Sequence, residues 1–312
     1  MLPHLLLLAP LPDFLRNPLG QRFTVHEYFG VTDKDALLQQ HGPGIRAMVG
    51  LGGSVAPPAL LDRLPALEII SVNGVGYDGM PVEYCRARGI RLTNTPDVLT
   101  EDVADIAVAL VLMSSRGLVR ANRLLHAGKW GEGANTLTTK ATGKRAGIVG
   151  LGRIGKAIAH RLAAFDMEIG YHGRHAQPDV PYAYHASAVE LAAWSDFLIV
   201  ATPGGPGTLH LINEEVLSAL GANGTLINIA RGSIVDESAL IRALSDGTIK
   251  TAGLDVFENE PHVPAELLAM GNVVLLPHIG SATKETRAAM AQLVLDNLAA
   301  HFAGQPLHTP VV

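Results

Sequence analysis

The chain has little cysteine, little charge and few aromatic residues. Cys85 is the only cysteine among 312 residues, which excludes an intrachain disulfide and favours a reducing, cytoplasmic location. Charged residues make up 17% of the chain, the net charge is −5, and no cluster of Lys and Arg offers a surface to a nucleic acid. No zinc-ligand spacing is present. We therefore predict no nucleic-acid partner and no metal site.

Long apolar runs are also missing. No stretch reaches the roughly 18 uncharged apolar residues that cross a membrane. The run Leu5 to Leu8 near the start is too short for a signal peptide and lacks a preceding basic region. We interpret this run as a buried first strand and predict no membrane partner.

The chain is rich in hydrophobic residues, which make up 48% of it, and it contains 33 glycines. This composition is typical of soluble α/β enzymes. Short apolar runs alternate with helical patterns, which predicts parallel sheets covered by helices on both faces. The predicted strands of the first part are 5–9, 23–28, 46–50, 69–73 and 91–93. Those of the second part are 145–149, 168–172, 197–201, 225–229, 251–256 and 273–276.

These patterns predict two doubly wound α/β domains. One long helix, from Thr100 to His126, is expected to bridge them, and a last helix at 284–302 is expected to return to the first domain. The predicted substrate-binding domain, flavodoxin-like, is 1–98 plus 284–312. The predicted dinucleotide-binding domain, a Rossmann fold, is 99–283, with hinges at 94–99 and 280–283.

A glycine-rich turn, Gly150-Leu151-Gly152-Arg153-Ile154-Gly155, follows the apolar strand at 145–149 and precedes a helical run. Glycines at these positions give a tight turn, close approach to a pyrophosphate and close packing of helix on strand. The strand before the turn and the helix after it make a dinucleotide site the favoured interpretation over an ordinary turn.

The next predicted strand ends in Tyr171-His172-Gly173-Arg174, where an enzyme specific for NAD usually has Asp or Glu. Arg174 could bind the 2′-phosphate of NADP with its planar guanidinium, and Arg153 adds a second positive charge. We predict NADP(H), with NAD(H) as the alternative. Arg174 could instead be a solvated loop residue, and His172 a structural one.

Polar residues follow the predicted strands of the second part: Arg231, Asp255 and His278. Parallel sheets bind ligands at the carboxyl ends of their strands, so these residues are expected at one edge. Reduction of a 2-oxo acid needs a cation for the carboxylate, an acid for the carbonyl oxygen, and a group that keeps this acid protonated. Arg231, His278 and Glu260 have these chemistries, although each alone also fits a structural role.

Four segments together resemble the D-isomer-specific 2-hydroxyacid dehydrogenases: residues 151–155, Asn-Ile-Ala-Arg-Gly at 228–232, 253–261, and Leu-Pro-His-Ile-Gly-Ser-Ala-Thr at 276–283. Residues 93–105 and 258–264 are most similar to the glyoxylate/hydroxypyruvate and hydroxyphenylpyruvate reductases of that family. Residues 171–174 resemble their NADP-type variant. The resemblance implies reduction of small 2-oxo acids to D-2-hydroxy acids, with the side chain of the substrate left open.

The resemblance also implies roles for single residues. Arg231, Glu260 and His278 would be catalytic, with Glu260 rather than Glu258 as the acid because it directly precedes a proline. The implied substrate contacts are Leu51, Gly52, Val75 and Gly76. The predicted cofactor contacts are Thr100, Gly150, Gly152, Arg153, Ile154, Gly155, His172, Arg174, Thr202, Pro203, Ile229, Ala230, Asp255 and Gly280.

Family members are usually homodimers, which implies a homodimer whose contact lies in the segment from Thr100 to Trp130. Two rival interpretations share this fold. Formate dehydrogenase carries Gln where this chain has Glu260, which argues against it. A nucleotide-sensing corepressor retains the same three residues, so only turnover separates it from an enzyme.

Overall fold

The computed structural model describes residues 2–131 and 137–312. It contains two compact units. The first comprises the residues up to Leu99 together with Ala282–Val312, and the second comprises Thr100–Ser281.

The strands are β1 His4–Leu7, β2 Thr24–Glu27, β3 Ile45–Leu51, β4 Ile69–Asn73, β5 Arg91–Thr93, β6 Arg145–Val149, β7 Glu168–His172, β8 Ala183–His185, β9 Phe197–Val200, β10 Thr225–Asn228, β11 Thr251–Leu254 and β12 Val273–Leu275. The helices are α1 Asp13–Arg22, α2 Lys34–His41, α3 Pro58–Leu61, α4 Val82–Arg88, α5 Thr100–Arg116, α6 Leu118–His126, α7 Arg153–Ala163, α8 Ala188–Trp194, α9 Glu214–Leu220, α10 Glu237–Ser245, α11 Ala265–Ala269 and α12 Lys284–Phe302.

The first unit is built on a parallel five-stranded sheet in the order β2-β1-β3-β4-β5. This is the flavodoxin-like order, as predicted. Alternate residues of β1 face opposite sides of the sheet. Leu5 packs on the side covered by α1 and α12, and Leu6 packs on the side where Leu38 of α2 is buried. Both faces of the sheet are therefore covered by apolar side chains.

The second unit is built on a parallel seven-stranded sheet in the order β12-β11-β10-β9-β6-β7-β8. The chain runs outward from β6 to β8 in one direction and from β9 to β12 in the other. The direction of winding therefore reverses between β6 and β9, which is the Rossmann arrangement and the point where such sheets bind ligands. The predicted fold class, two doubly wound parallel sheets, is confirmed.

The local differences from the predictions have physical causes. The single helix predicted from Thr100 to His126 is wrong, because Gly117 adopts a left-handed conformation (φ 58°) that ends α5 and starts α6. The sequence patterns also missed β8, a three-residue edge strand whose first two residues are exposed. An exposed edge strand has no apolar alternation to reveal it.

Among residues 2–131 and 137–312, no helix is both long enough and apolar enough to cross a lipid bilayer.

Candidate active site

Residues of the second unit that were predicted to bind the cofactor or to act in catalysis follow the carboxyl ends of its strands. Gly150 follows β6, Thr202 lies just beyond β9, Arg231 follows β10, Asp255 follows β11 and His278 lies beyond β12. All these strands are parallel, so their carboxyl ends share one edge of the sheet. The edge includes the point between β6 and β9 where the winding reverses.

His278 and Glu260 form a hydrogen-bonded pair at this edge. Nδ1 of His278 lies 2.7 Å from Oε2 of Glu260, and Oε1 accepts a hydrogen bond of 3.1 Å from the backbone N–H of Phe257. The side chains are 46% and 35% exposed, so the pair is open to a ligand. Burial, the largest effect, raises the pKa of Glu260, but the hydrogen bond and charge of His278, the Phe257 amide and the charge of Arg231 lower it below its ordinary value.

Asp255 holds the loop that carries His278. Its side chain is buried, and its two oxygens accept hydrogen bonds of 2.8 Å from the backbone N–H groups of Ile279 and Gly280. Burial raises the pKa of Asp255 against the lowering effect of these hydrogen bonds. His278 itself has a positive φ of 54°, an uncommon conformation for a residue with a side chain. Asp255 therefore holds the backbone of this loop, and its contact with a cofactor stays a prediction.

Arg231 lies in a loop whose backbone is held by the side chain of Asn228. Nδ2 of Asn228 donates to the carbonyl of Arg231 at 2.9 Å, and its Oδ1 accepts from the backbone N–H of Ala230 at 3.1 Å. Nη1 of Arg231 donates to the carbonyl of Ala230 at 2.8 Å. Asn228 is buried at the end of β10. The guanidinium therefore projects from a loop with a fixed backbone.

Gly232 lets this loop pack against the chain that leads to Glu260. A Cβ atom on Gly232 would lie 1.8 Å from the carbonyl carbon of Phe257 and 2.2 Å from the backbone nitrogen of Glu258. Both are backbone atoms, so no rotation of a side chain could relieve the overlap. The absence of a side chain at Gly232 is what brings the Arg231 loop against residues 257–258.

Glu258, two residues before Glu260, has a different partner. Its Oε1 lies 2.8 Å from Nε2 of His210, a residue with a positive φ of 49° whose backbone N–H donates to Ser233. Glu258 and Glu260 thus each form a hydrogen bond with a different histidine. The geometry pairs Glu260, and not Glu258, with His278, while the catalytic role of Glu260 stays a prediction.

The glycine-rich turn has room for a phosphate group. Gly150 has φ 97°, and a Cβ there would lie 2.7 Å from Cα of Thr202, while one on Gly155 would lie 2.2 Å from the carbonyl oxygen of Gly150. By contrast, no protein atom lies within 4 Å of where a Cβ on Gly152 would be. Gly152 is the N-cap residue of α7, and no side chain of this residue caps the N–H groups of the first turn. The open space beside the N–H groups that start a helix fits a pyrophosphate.

The loop after β7 carries the predicted selector of NADP. Arg174 and Arg153 are both exposed. Nδ1 of His172 lies 3.0 Å from the carbonyl of His185, so part of its hydrogen-bonding capacity serves the structure. The buried Tyr171 hydroxyl accepts from the N–H of Gln177 at 2.6 Å, and Nε2 of Gln177 donates to the carbonyl of Leu151 at 2.9 Å. These contacts tie the Arg174 loop to the glycine-rich turn.

Other predicted cofactor residues lie at the same edge of the second unit. Ile229 is buried and its N–H lies 3.4 Å from the carbonyl of Val200, while Pro203 accepts a hydrogen bond of 2.8 Å from the hydroxyl of Thr208. Thr100 is the first residue of α5, and Ile154 is the second residue of α7. Their contacts to a cofactor stay predictions.

The predicted substrate residues Leu51, Gly52, Val75 and Gly76 belong to the first unit. They come together where β3 and β4 end, because a Cβ on Gly74 would lie only 2.9 Å from Cα of Gly52. Nδ2 of Asn94 donates to the carbonyl of Val75 at 2.9 Å and holds this turn. Their contact with a substrate stays a prediction.

Sequence reasoning assigned no role to four residues that support the site: Asn94, Gln177, Asn228 and Gly232. Asn228 could have been found, because a polar residue at the end of an apolar strand usually satisfies backbone groups there. The contacts of the other three depend on segments distant in the sequence and leave no local signal.

Comparison with known proteins identifies the family of this chain. Residues 108–280 match the family described as D-isomer specific 2-hydroxyacid dehydrogenase, NAD binding domain. The chain is 50% identical over 307 residues to glyoxylate/hydroxypyruvate reductase A of Arabidopsis thaliana, and 49% identical over 307 residues to hydroxyphenylpyruvate reductase of Plectranthus scutellarioides. In both comparisons the alignment covers 98% of each protein.

A solved structure is similar over the same length. It is that of an NADPH-dependent glyoxylate/hydroxypyruvate reductase from Sinorhizobium meliloti in complex with NADP and malonate, with a TM-score of 0.92 and 45% identity. The match covers 99% of this chain and 97% of that one. The chain belongs to the D-isomer-specific 2-hydroxyacid dehydrogenase family.

Proposed function

We propose that this protein uses NADPH to reduce small 2-oxo acids, glyoxylate and hydroxypyruvate first among them, to 2-hydroxy acids, with the D configuration where the product is chiral. Hydroxyphenylpyruvate is a further candidate. The observation that carries the proposal is the pair of His278 with Glu260, 2.7 Å apart, at the sheet edge that also holds the glycine-rich turn. The names of the relatives at 50% and 49% identity support a reductase over a corepressor.

The cofactor is held by the second unit. The N–H groups that start α7 and the open space at Gly152 accept the pyrophosphate. Arg174, with Arg153 as the second cation, binds the 2′-phosphate. When bound, NADPH supplies a hydride to C2 of the oxo acid.

The side chains of the protein bind the substrate's carboxylate and protonate its carbonyl oxygen. Arg231 binds the carboxylate through its guanidinium. Nδ1 of His278 is engaged by Glu260, so Nε2 is the atom that gives its proton to the carbonyl oxygen. Hydride at C2 and a proton on oxygen convert the carbonyl to a hydroxyl. His278 is left neutral and takes up a proton from solvent before the next turnover.

The first experiment compares initial rates with NADPH and with NADH against glyoxylate, hydroxypyruvate, pyruvate and 4-hydroxyphenylpyruvate. The loss of reduced-nicotinamide absorbance reports turnover. We expect the highest kcat/KM with NADPH as cofactor and either glyoxylate or hydroxypyruvate as substrate. Absence of turnover with every pair would overturn the proposal and favour a nucleotide-sensing protein.

Arg174→Ala tests the choice of cofactor. Loss of a charge-assisted hydrogen bond, worth about 1.5–3 kcal/mol, should raise the KM for NADPH by roughly 10- to 100-fold and leave the KM for NADH unchanged. Arg242→Ala is the matched control, since Arg242 is exposed on α10 and its guanidinium pairs with the exposed Glu214. An equal effect on both cofactors would remove Arg174 from the 2′-phosphate site.

Gly152→Ala tests the pyrophosphate site. A methyl group there meets no protein atom within 4 Å, so the thermal unfolding midpoint without cofactor should be unchanged. The same methyl group would occupy the space proposed for the pyrophosphate, and the Kd for both NADPH and NADH should rise. Unchanged binding of both would show that the pyrophosphate lies elsewhere.

We also propose a cytoplasmic homodimer that forms through α5, α6 and the residues up to Trp130. Apolar side chains are exposed here, with Leu118, Leu125 and Trp130 at 46%, 57% and 81%. Exposed apolar residues that lie together are typical of an interface. Light scattering after size exclusion should give twice the chain mass of 32.9 kDa, and Leu125→Glu should shift it toward the monomer.

A further inference from the structure

Three histidines of the first unit, none of them among the residues proposed for catalysis, meet on one side of its sheet. His4 begins β1, His26 lies in β2, and His41 is the last residue of α2. In the pairing of β1 with β2, His4 is opposite Thr24 and Leu6 is opposite His26. Because side chains alternate along a strand, His4, Leu6, Thr24 and His26 share one face. Leu6 packs with Leu38 of α2, so this is the face that α2 covers.

The distances between the three rings suit a shared ligand. Nδ1 of His4 lies 3.2 Å from Nε2 of His26, and one nitrogen from each of the three histidines lies within 4.8 Å of the other two. The ring centroids of His26 and His41 are 4.3 Å apart, and those of His4 and His26 are 5.0 Å apart. Imidazole nitrogens bind Zn²⁺ at about 2.0–2.1 Å, which in a tetrahedron separates two of them by about 3.3–3.4 Å. The His4–His26 pair has nearly this spacing, and the nitrogen of His41 lies within 4.8 Å of both.

Each of the three residues would offer one imidazole nitrogen to the ion. A neutral imidazole is the form that binds a metal ion. All three residues are only half-buried, so an ion has access from solvent.

We propose that His4, His26 and His41 bind a single Zn²⁺ ion, with water as its fourth ligand. The ion would tie the edge strand β2 to β1 and to the end of α2. The sequence alone predicted no metal site, because residues 4, 26 and 41 lie far apart in the chain and match no zinc-ligand spacing. Only the pairing of β1 with β2 and the position of α2 bring them together.

The test uses the full-length protein, without a histidine tag and stripped of metal by a chelator. Titration with ZnCl₂ in a calorimeter should give one ion per chain, and Zn²⁺ should raise the thermal unfolding midpoint. Titration with CoCl₂ should give the visible absorption bands of tetrahedral cobalt with nitrogen ligands. Binding weaker than about 100 µM, or octahedral cobalt bands, would overturn the proposal without any variant.

Single variants at each position locate the ion. His4→Gln, His26→Gln and His41→Gln should each weaken Zn²⁺ binding by more than about 100-fold, beyond what loss of a supporting contact costs. Each should also lose the Zn²⁺-dependent rise in the unfolding midpoint. Circular dichroism without metal checks that each variant is folded.

Two control variants exclude other histidines. His160 is exposed on α7, and His278 belongs to the catalytic pair. His160→Gln and His278→Gln should bind one Zn²⁺ with the affinity of the parent protein. If His278→Gln abolishes binding while His26→Gln retains it, the ion binds at the catalytic pair and the proposed site is wrong.

Discussion

Glu260 accepts a hydrogen bond from His278, with Oε2 2.7 Å from Nδ1, while Glu258 pairs with His210 at 2.8 Å. The second pair resembles the first in chemistry, since each joins a carboxylate to an imidazole. It differs in the nitrogen used, because Glu258 contacts Nε2 of His210. In the first pair Glu260 contacts Nδ1, and Nε2 is the nitrogen proposed to face the substrate, so we expect the two histidines to differ greatly in their effect on turnover.

His278→Ala should lower kcat for reduction by at least about 100-fold, because general acid catalysis contributes roughly 10²–10⁴-fold. His210→Ala is the matched control and should have a much smaller effect on kcat. Steady-state rates with saturating NADPH and the best 2-oxo acid measure both. Near-normal kcat in His278→Ala would remove this residue from the proton transfer.

Glu260→Gln should change how the reduction rate depends on pH. The pKa of Glu260 lies below its ordinary value, so in the parent protein this group is a carboxylate at neutral and mildly acidic pH. Its charge is lost only as the pH falls through that lowered pKa, and above it the negative charge lies 2.7 Å from Nδ1 of His278, the proposed general acid. The glutamine keeps a hydrogen-bonding oxygen but no charge, so reduction at neutral pH should fall by at least about 10-fold.

The parent protein should lose activity as the pH falls through the lowered pKa of Glu260, whereas Glu260→Gln has no group that titrates there and should not show this loss. Profiles of kcat/KM for the parent protein and for Glu260→Gln, measured over the same buffers, make the comparison. Parallel profiles with a constant ratio would mean that Glu260 acts only by holding the loop in place.

Arg231→Lys keeps the positive charge but loses the planar guanidinium that binds a carboxylate with two hydrogen bonds. We expect kcat/KM for the 2-oxo acid to fall by roughly 10- to 100-fold, with the Kd for NADPH unchanged. In Arg231→Ala, which loses the charge as well, kcat/KM for the 2-oxo acid should fall further. Fluorescence titration of NADPH and initial rates separate the two effects, and an unchanged kcat/KM would place the substrate carboxylate elsewhere.

Gly232→Ala should destabilise the second unit, since the added methyl group overlaps the backbone of Phe257 and Glu258. Overpacking that side-chain rotation cannot relieve is expected to cost about 3 kcal/mol or more. Gly271→Ala is the matched control, because no atom lies within 4 Å of the added group there. Thermal unfolding should show a lower midpoint only for Gly232→Ala, and equal midpoints would contradict the close approach.

Much of the fold was predictable because its signals are local. The alternation of apolar strands with helices reports a parallel α/β fold, and eleven strands were located to within one or two residues. The glycine-rich turn at 150–155 could be recognised for the same reason, since its conformation depends on the glycines within it. The break at Gly117 was missed because a glycine within an apolar helical pattern is compatible with either a continuous or a broken helix.

The sequence by itself determined the class of fold, the position of the dinucleotide turn and the residue types available for catalysis, because periodicity and turn chemistry act over a few neighbouring residues. Only the tertiary structure decided that Glu260 pairs with His278, that Asn228 holds the Arg231 loop, and that His4, His26 and His41 meet. These contacts join residues that the chain separates. They depend on the order of strands in each sheet and, for Arg231, on the missing side chain at Gly232.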